Sequence, residues 1–247
     1  MKRITIVFSL LFFFSHCTLD NGNPYEVDYT SYDLLYSYEG VNMRYVKLNV
    51  IDFFKQVALG AEYGHTARLT KKWNTPMRLF LAGEENAVLE QELEDIIQSI
   101  NALMEADFYI ERVDDSLQSN FYVYLGDVRG FTQRYPNSAQ LLERNLGLVT
   151  VHLNEKHQIT HGEVFVDLNR TALAEQKHLL REEMTQGLGL LNDVPYYPTS
   201  VFYRDHSVTT DYMRNDKEVI RFLYHPKMIS GLNEEAVDVI TRSIFGL

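Results

Sequence analysis

Between Asn86 and Met104, apolar residues recur at intervals of three and four positions: Val88, Leu89, Leu93, Ile96, Ile97, Ile100 and Leu103. This spacing predicts an amphipathic α-helix of about five turns with one apolar side. That side has to be buried, so the chain needs other elements to pack against it. The acidic residues on the other side, Glu90, Glu92, Glu94 and Asp95, are expected to face solvent.

The remaining periodicity predicts strands and two further helices. Residues 50–62 have mixed spacing and are typical of a short helix or a strand. A second helix is expected over 172–188, ended by Gly187 and Gly189, and a last helix over 234–245. Strands are expected at 77–81, 107–113, 121–125, 148–153 and 163–168. This order predicts an α+β fold with a mixed, mostly antiparallel sheet.

Composition limits the class of protein. The 247 residues are 45% hydrophobic, and 23 basic residues stand against 34 acidic ones, for a net charge of −11. These values fit one globular domain, placed at 41–247, and an acidic chain without basic clusters is not typical of nucleic-acid binders. The single cysteine, Cys17, excludes an intramolecular disulfide framework.

The N-terminus has the pattern of an export signal. Lys2 and Arg3 precede an apolar run from Ile4 to Phe14, which is too short for a comfortable membrane span. The end of this run resembles a bacterial lipoprotein signal, in which the cysteine, here Cys17, becomes the acylated N-terminus. Residues 1–17 are then a signal peptide and 18–40 a tether, and the protein is exported and attached to the cell envelope through lipid on Cys17. The alternative is an ordinary secretory signal that leaves the protein periplasmic.

Residues 179–193, LLREEMTQGLGLLND, have the frame of the zinc-peptidase helix H-E-x-x-H-x-x-G-x-x-H/D. Glu182 stands at the first histidine and Glu183 at the general base. Gln186 stands at the second histidine, Gly189 at the glycine and Asn192 at the third ligand. The frame is intact, but no ligand position holds histidine.

Other segments extend this resemblance to metzincin peptidases. Residues 71–81 are similar to their opening strand, 106–113 to the strand after their long first helix, and 162–171 to the edge strand beside their substrate. Residues 200–203 resemble their Met-turn, and 219–226 the segment that follows. The resemblance covers 70–230 and implies a zincin-like, metzincin-type domain with a long first helix and an active-site-type helix.

A closer resemblance is to a bacterial family, mostly of lipoproteins, called domain of unknown function 2927. Its pattern E-E-x-T-Q-x-L-G-L-x-N-D is matched here from Glu182 to Asp193. The absence of the ligand histidines is therefore a trait that this resemblance implies for the whole family.

The substituted positions are poor zinc ligands. Zinc prefers imidazole and thiolate, whereas the amides of Gln186 and Asn192 suit hard cations better. No cofactor is therefore expected, and Gln186 and Asn192 are expected to hydrogen-bond backbone around the former metal position. Adjacent helix residues point about 100° apart, so the carboxylates of Glu182 and Glu183 need not share a site.

The sequence leaves several functions open. The favoured one is a non-catalytic, envelope-anchored protein whose edge strand, placed at 162–168, holds a peptide or protein partner by β-augmentation. The alternative is a metal-dependent peptidase or hydrolase that holds zinc or a hard divalent cation on Glu182, Gln186 and Asn192, with Glu183 as base. The sequence does not distinguish the favoured binding function from that of a scaffold component of an envelope complex.

The histidines and a nearby loop give weaker signals. A column of His178, Glu182 and Gln186 is a conceivable relocated metal site, but an exposed His178 is the commoner situation. Solvent exposure explains the loosely spaced histidines around a turn, and the loop after residue 203 could line a cleft with Glu183. These residues are His152, His157 and His161 for the turn, and Asp205, His206 and Asp211 for the loop.

Overall fold

The computed structural model describes residues 42–61, 67–104 and 108–247. The predicted signal peptide, the lipidation site Cys17 and the tether 18–40 lie outside these residues. None of the helices in the described ranges combines the length and the apolar character needed to span a bilayer.

The described residues contain seven α-helices and six strands. The helices are α1 Met43–Leu59, α2 Ala87–Asn101, α3 Val128–Arg134, α4 Ala139–Leu142, α5 Leu173–Gln186, α6 Arg214–Tyr224 and α7 Glu234–Phe245. The strands are β1 Lys72–Trp73, β2 Met77–Gly83, β3 Ile110–Arg112, β4 Phe121–Gly126, β5 Gly147–Leu153 and β6 Gln158–Asp167. Short 3₁₀ turns lie at Ser116–Gln118 and Pro136–Ser138.

The sheet is mostly parallel, so the prediction of a mostly antiparallel sheet is wrong. Strands follow the order β1-β6-β4-β2-β3 with parallel pairing throughout, and only β5 runs antiparallel, against β6. The apolar alternation of single strands carries no information about their direction. Helix α2 returns the chain from β2 to β3, and the segment 113–120 leads from β3 to β4. The antiparallel strand β5 itself brings the chain back from the end of β4 to the start of β6.

The prediction that residues 162–168 form an edge strand is also wrong. Strand β6 lies between β4 and β5, and its residues 162–167 are buried on both faces. The strand beside it at the sheet edge is β5, which the hairpin turn at 154–157 connects to β6. A strand covered on both faces is typical of parallel sheets.

The main core lies on one face of the sheet. Helix α5 packs on β5, β6 and α2, while α1 packs on α6 and α7. Val164 and Val166 of β6 face this core, together with Leu180 and Met184 of α5. The opposite face carries a smaller cluster of Phe131, Leu142, Leu148 and Phe165.

Two details of the helices differ from expectation. Helix α2 forms as predicted, but Glu92 is buried, because its carboxylate accepts a 2.6 Å hydrogen bond from Arg181 Nη2 and lies 3.2 Å from Lys177 Nζ. Helix α6 was not predicted, since the apolar residues Val219, Ile220, Phe222 and Leu223 form a nearly continuous run.

Candidate functional site

A cleft of about 280 Å³ opens beside α5 and the start of β5. Helix α5 supplies side chains at intervals of three and four residues, because these positions share one helix face. The lining residues are Arg144, Asn145, Leu146, Gly147, Glu175, His178, Leu179, Glu182, Glu183, Asp193, Tyr203, Arg204, Asp205, His206 and Ser207. Carboxyl groups outnumber guanidinium groups five to two, so the cleft is acidic.

One wall of the cleft is held by Arg170, in the loop between β6 and α5. Its Nε pairs with the buried carboxylate of Asp167 at 2.6 Å. Its Nη2 donates to the carbonyl oxygens of Leu142 and Asn145 at 3.0 and 2.8 Å. The loop that precedes β5 is thereby fastened to the loop that precedes α5.

His178 is buried, contrary to the expectation of an exposed side chain. Its Nδ1 lies 2.7 Å from the carbonyl oxygen of Thr209 and must carry the proton there, because a carbonyl only accepts. Burial lowers the pKa of His178, which favours the neutral ring. The unprotonated Nε2 then lies 3.5 Å from the carboxyl oxygen of Glu182.

Glu182 and Glu183 both line the cleft, although they are adjacent in the helix. The cleft extends far enough around α5 to include both side chains, although they point in different directions. Glu183 is 7% exposed and lies against the first residue of β5: a Cβ on Gly147 would sit 2.4 Å from Glu183 Oε1. The strand therefore starts with a glycine where it approaches this carboxyl group.

Gln186 lies behind the cleft and is paired with Asp193, a largely buried residue of the cleft wall. Gln186 Nε2 donates to Asp193 Oδ1 at 2.7 Å. The turn between them depends on Gly189, which has φ +115° and lies so close to Lys71 that a Cβ would be 2.0 Å from the Lys71 carbonyl oxygen. Only glycine adopts this backbone and this approach without strain.

Asn192 faces α1 and is not among the residues that line the cleft. Its Nδ2 donates to the carbonyl oxygen of Gln56 at 3.1 Å and to that of Asp193 at 3.0 Å. The structure therefore brings Glu182, Glu183 and Asp193 to the cleft. It places Gln186 and Gly189 behind the cleft and turns Asn192 away.

The loop after residue 203 contributes two of its three candidate residues. Asp205 and His206 line the cleft with Glu183, and Asp211 does not. The exposed His206 Nδ1 lies 3.5 Å from Glu175 Oε1. This contact joins the loop to the first turn of α5.

Sequence reasoning missed Asp216, which holds the turn at 200–203. Its carboxyl accepts hydrogen bonds from Ser200 Oγ at 2.6 Å and from the backbone N–H groups of Val201 and Met213 at 3.2 and 3.1 Å. Burial raises the pKa of Asp216 to about 7. The available signal was an acidic residue at the third position of a helix, where it can cap the residue before the helix.

As the side chains are placed, the described residues contain no ready-made group of three or more His, Cys, Asp or Glu for a metal ion. The donor chemistry at the three motif positions agrees with this. The amide of Gln186 is bound to Asp193, and the amide of Asn192 to backbone. Only Glu182 offers a charged donor, and zinc needs at least three good ones.

Comparison with known proteins identifies a family. No curated protein matches the chain. Residues 48–243 match the model of a family described as "Protein of unknown function (DUF2927)", a stretch that runs from α1 into α7 and includes the cleft. The chain therefore belongs to the DUF2927 family of proteins of unknown function.

Proposed function

We propose that this chain is a non-catalytic domain of zincin-like fold that binds an extended peptide or protein segment in the acidic cleft, and that an exported, envelope-anchored lipoprotein carries it. The fold proposal is supported by one antiparallel strand beside an otherwise parallel sheet and by a helix, α5, that ends in a glycine turn. The turn at 200–203 that follows adds to this support. Export and lipidation are supported by the sequence pattern around Cys17.

The orientation of Asn192 is the observation that carries the non-catalytic assignment. The third ligand position of the motif is bound to the Gln56 carbonyl oxygen of α1, away from the cleft. Glu182, Gln186 and Asn192 therefore do not surround one point. The residues at these three positions do not fit a zinc ion.

The free edge of β5 supports the mode of binding. Strand β5 pairs with β6 on one side, and among the described residues no strand pairs with its other side. An extended segment can add there through main-chain hydrogen bonds. The proposal made for 162–168 thus moves to Gly147–Leu153, because β6 is enclosed by its neighbours.

The charge of the cleft defines the chemistry of the partner. Strand β5 starts at Gly147, next to Glu183, so a segment along β5 leads one of its side chains into the cleft. A lysine or arginine there meets five carboxyl groups and two guanidinium groups. Opposite charges about 4 Å apart attract by about 1–4 kcal/mol near a protein surface, so a basic side chain is favoured.

A binding experiment with matched variants tests this proposal. Short peptides of β-forming sequence with one central lysine are titrated against the full chain by fluorescence anisotropy. Glu182→Gln is expected to weaken binding about tenfold, and the exposed Glu155→Gln, which removes the same charge from the β5–β6 turn, less than twofold. N-methylation of alternate peptide amides should abolish binding, because it removes the main-chain donors. Equal binding of the methylated peptide, or of peptides with glutamate in place of lysine, would refute the proposal.

A second candidate function rests on a specific observation. Glu182, Glu183 and Asp193 bring three carboxyl groups to one cleft, and hard divalent cations prefer such oxygen donors. A hydrolase of this kind would cleave peptides in the presence of calcium, magnesium or manganese and lose all turnover in Glu183→Gln. Such a result would replace the binding proposal. If the binding proposal is right, the chain has no turnover, and Glu183→Gln changes only stability or binding.

A further inference from the structure

A second cluster of titratable side chains lies on the face of the sheet opposite α5. His161 and Glu163 are two residues apart in β6 and therefore point to the same face. His152 of β5 is directly opposite His161 in the antiparallel register. The backbone alone thus brings two imidazoles and one carboxyl group together, and opposite side chains on paired strands have Cβ atoms about 5 Å apart.

We propose that His152, His161 and Glu163 form a binding site for a divalent transition-metal ion of the zinc class. Two imidazoles and one carboxylate are a ligand set that suits zinc. The site is separate from the cleft beside α5 and does not depend on the proposed peptide binding.

The distance between His152 and Glu163 fits an inserted ion. His152 Nε2 lies 3.2 Å from Glu163 Oε1 and 3.1 Å from Oε2. Two donors about 2.0–2.1 Å from a tetrahedral zinc are separated by about 3.3 Å. A zinc ion can therefore take the place of the hydrogen-bonding proton between these two groups, with donor shifts of only a few tenths of an ångström and with that proton carried on His152 Nδ1.

Thr160 determines which nitrogen of His161 is available. The Thr160 hydroxyl donates its one proton to the carbonyl oxygen of His152 at 3.1 Å. It can then only accept from His161 Nδ1, which lies 3.1 Å from the hydroxyl oxygen. In the present ring position, His161 Nδ1 consequently carries the proton and Nε2 does not. After rotation of the ring, the same tautomer binds a metal ion through Nε2 while Nδ1 donates to water.

His161 has to rotate to complete the site. Its ring is stacked on that of His152, with centroids 4.0 Å apart and planes 5° from parallel, so the two rings lie side by side and do not yet converge. His161 is exposed, and rotation of an exposed side chain is fast.

The surroundings leave one coordination position accessible. The cluster opens into a cavity of about 530 Å³ that Tyr122, Arg134 and Tyr135 also line. Glu163 is 5% exposed, whereas His152 is partly exposed, so an ion can enter from this cavity. The fourth ligand would be water or an anionic group from solution, as in zinc sites that keep an open position.

Titration of the metal-free full chain with Zn²⁺ by calorimetry, and with Co²⁺ by visible absorption, tests the proposal. One ion per chain is expected, with the Co²⁺ absorption typical of tetrahedral coordination. His152→Ala, His161→Ala and Glu163→Gln should each weaken zinc binding more than tenfold. His206→Ala removes an exposed histidine from the other cleft and should have no effect.

Circular dichroism without metal establishes that each variant is folded. Glu163→Gln keeps the size of the side chain and its hydrogen bond to His152, so this variant remains interpretable if an alanine variant does not fold. Absence of stoichiometric zinc in the unmodified chain would overturn the proposal. So would zinc that is retained by folded Glu163→Gln or that is lost in His206→Ala.

Discussion

Replacement of Asp216 by asparagine is expected to make the protein more stable at high pH. The carboxyl group is completely buried beneath the turn at 200–203. In its protonated form it can donate to Ser200 Oγ and accept from the N–H groups of Val201 and Met213. The amide of asparagine reproduces this pattern, because its NH₂ donates to Ser200 and its oxygen accepts from the backbone.

The magnitude follows from the pKa of Asp216. Burial raises this pKa from 3.8 in the unfolded chain to about 7 in the folded protein. A raised pKa stabilises the folded state below the unfolded value, and this contribution is lost as the pH rises through the folded value. Each unit is worth about 1.4 kcal/mol, so the full loss from pH 4 to pH 8 is about 4 kcal/mol, and that between pH 5 and pH 8 about 3 kcal/mol. Asparagine does not titrate and removes this dependence.

Urea unfolding at pH 5, 6, 7 and 8 measures the difference. Trp73 is the single tryptophan and is buried, and its Nε1 donates to the Gly187 carbonyl oxygen at the end of α5, so its fluorescence reports on the core near the cleft. The Asp216→Asn variant should exceed the unmodified protein by about 1–2 kcal/mol at pH 5 and by about 4 kcal/mol at pH 8, so that its advantage grows by about 3 kcal/mol over this range. A variant that is less stable by the same amount at both pH values would show that Asp216 is an ionised cap. The three hydrogen bonds would then outweigh the cost of burying its charge.

Two further substitutions test how the cleft is supported. Gly189→Ala should destabilise the protein by about 3 kcal/mol or more, because the new Cβ meets the Lys71 carbonyl oxygen. The control Gly246→Ala is also at positive φ, but its Cβ has no atom within 4 Å, so it should cost about 1 kcal/mol. Equal melting temperatures of the two variants would contradict the close approach of Gly189 to Lys71. Glu92→Ala should cost about 3–5 kcal/mol in urea unfolding, because it leaves the buried Arg181 guanidinium without its carboxylate. Its control, Glu94→Ala, removes a surface pair and should cost less than about 1 kcal/mol, and a similar loss in both would refute the role of Glu92.

The elements that could be predicted from sequence are those whose signal is local. Helices α2, α5 and α7 form within a few residues of the predicted limits, because periodicity and terminating glycines act over one or two turns. The direction of the strands could not be predicted, because it depends on crossovers between distant segments. The same limit explains why the burial of Glu92 was not predicted. Periodicity places Glu92 on the solvent side of α2, but it is paired with Arg181, which is distant in sequence.

For the candidate site, too, local features could be predicted from the sequence and long-range contacts could not. The motif lies on helix α5, and Glu182 and Glu183 of that helix line the cleft. The direction of Asn192 could not be read from spacing, because it is set by contact with Gln56 of α1, 136 positions earlier in the chain. A motif thus locates a site along the chain, but its donors are chosen by contacts that the motif does not contain.

His152 and His161 show what such contacts add. In the sequence they are nine positions apart on both sides of a turn, which solvent exposure explains. The register of β5 on β6 makes them direct neighbours and adds Glu163 from the next position on the same face. Three residues that no linear pattern connects then have the composition of a metal site, on the face of the sheet opposite helix α5. The absence of histidine at positions 182, 186 and 192 is therefore insufficient ground for concluding that the protein binds no metal, and the zinc titration decides the question for the whole chain.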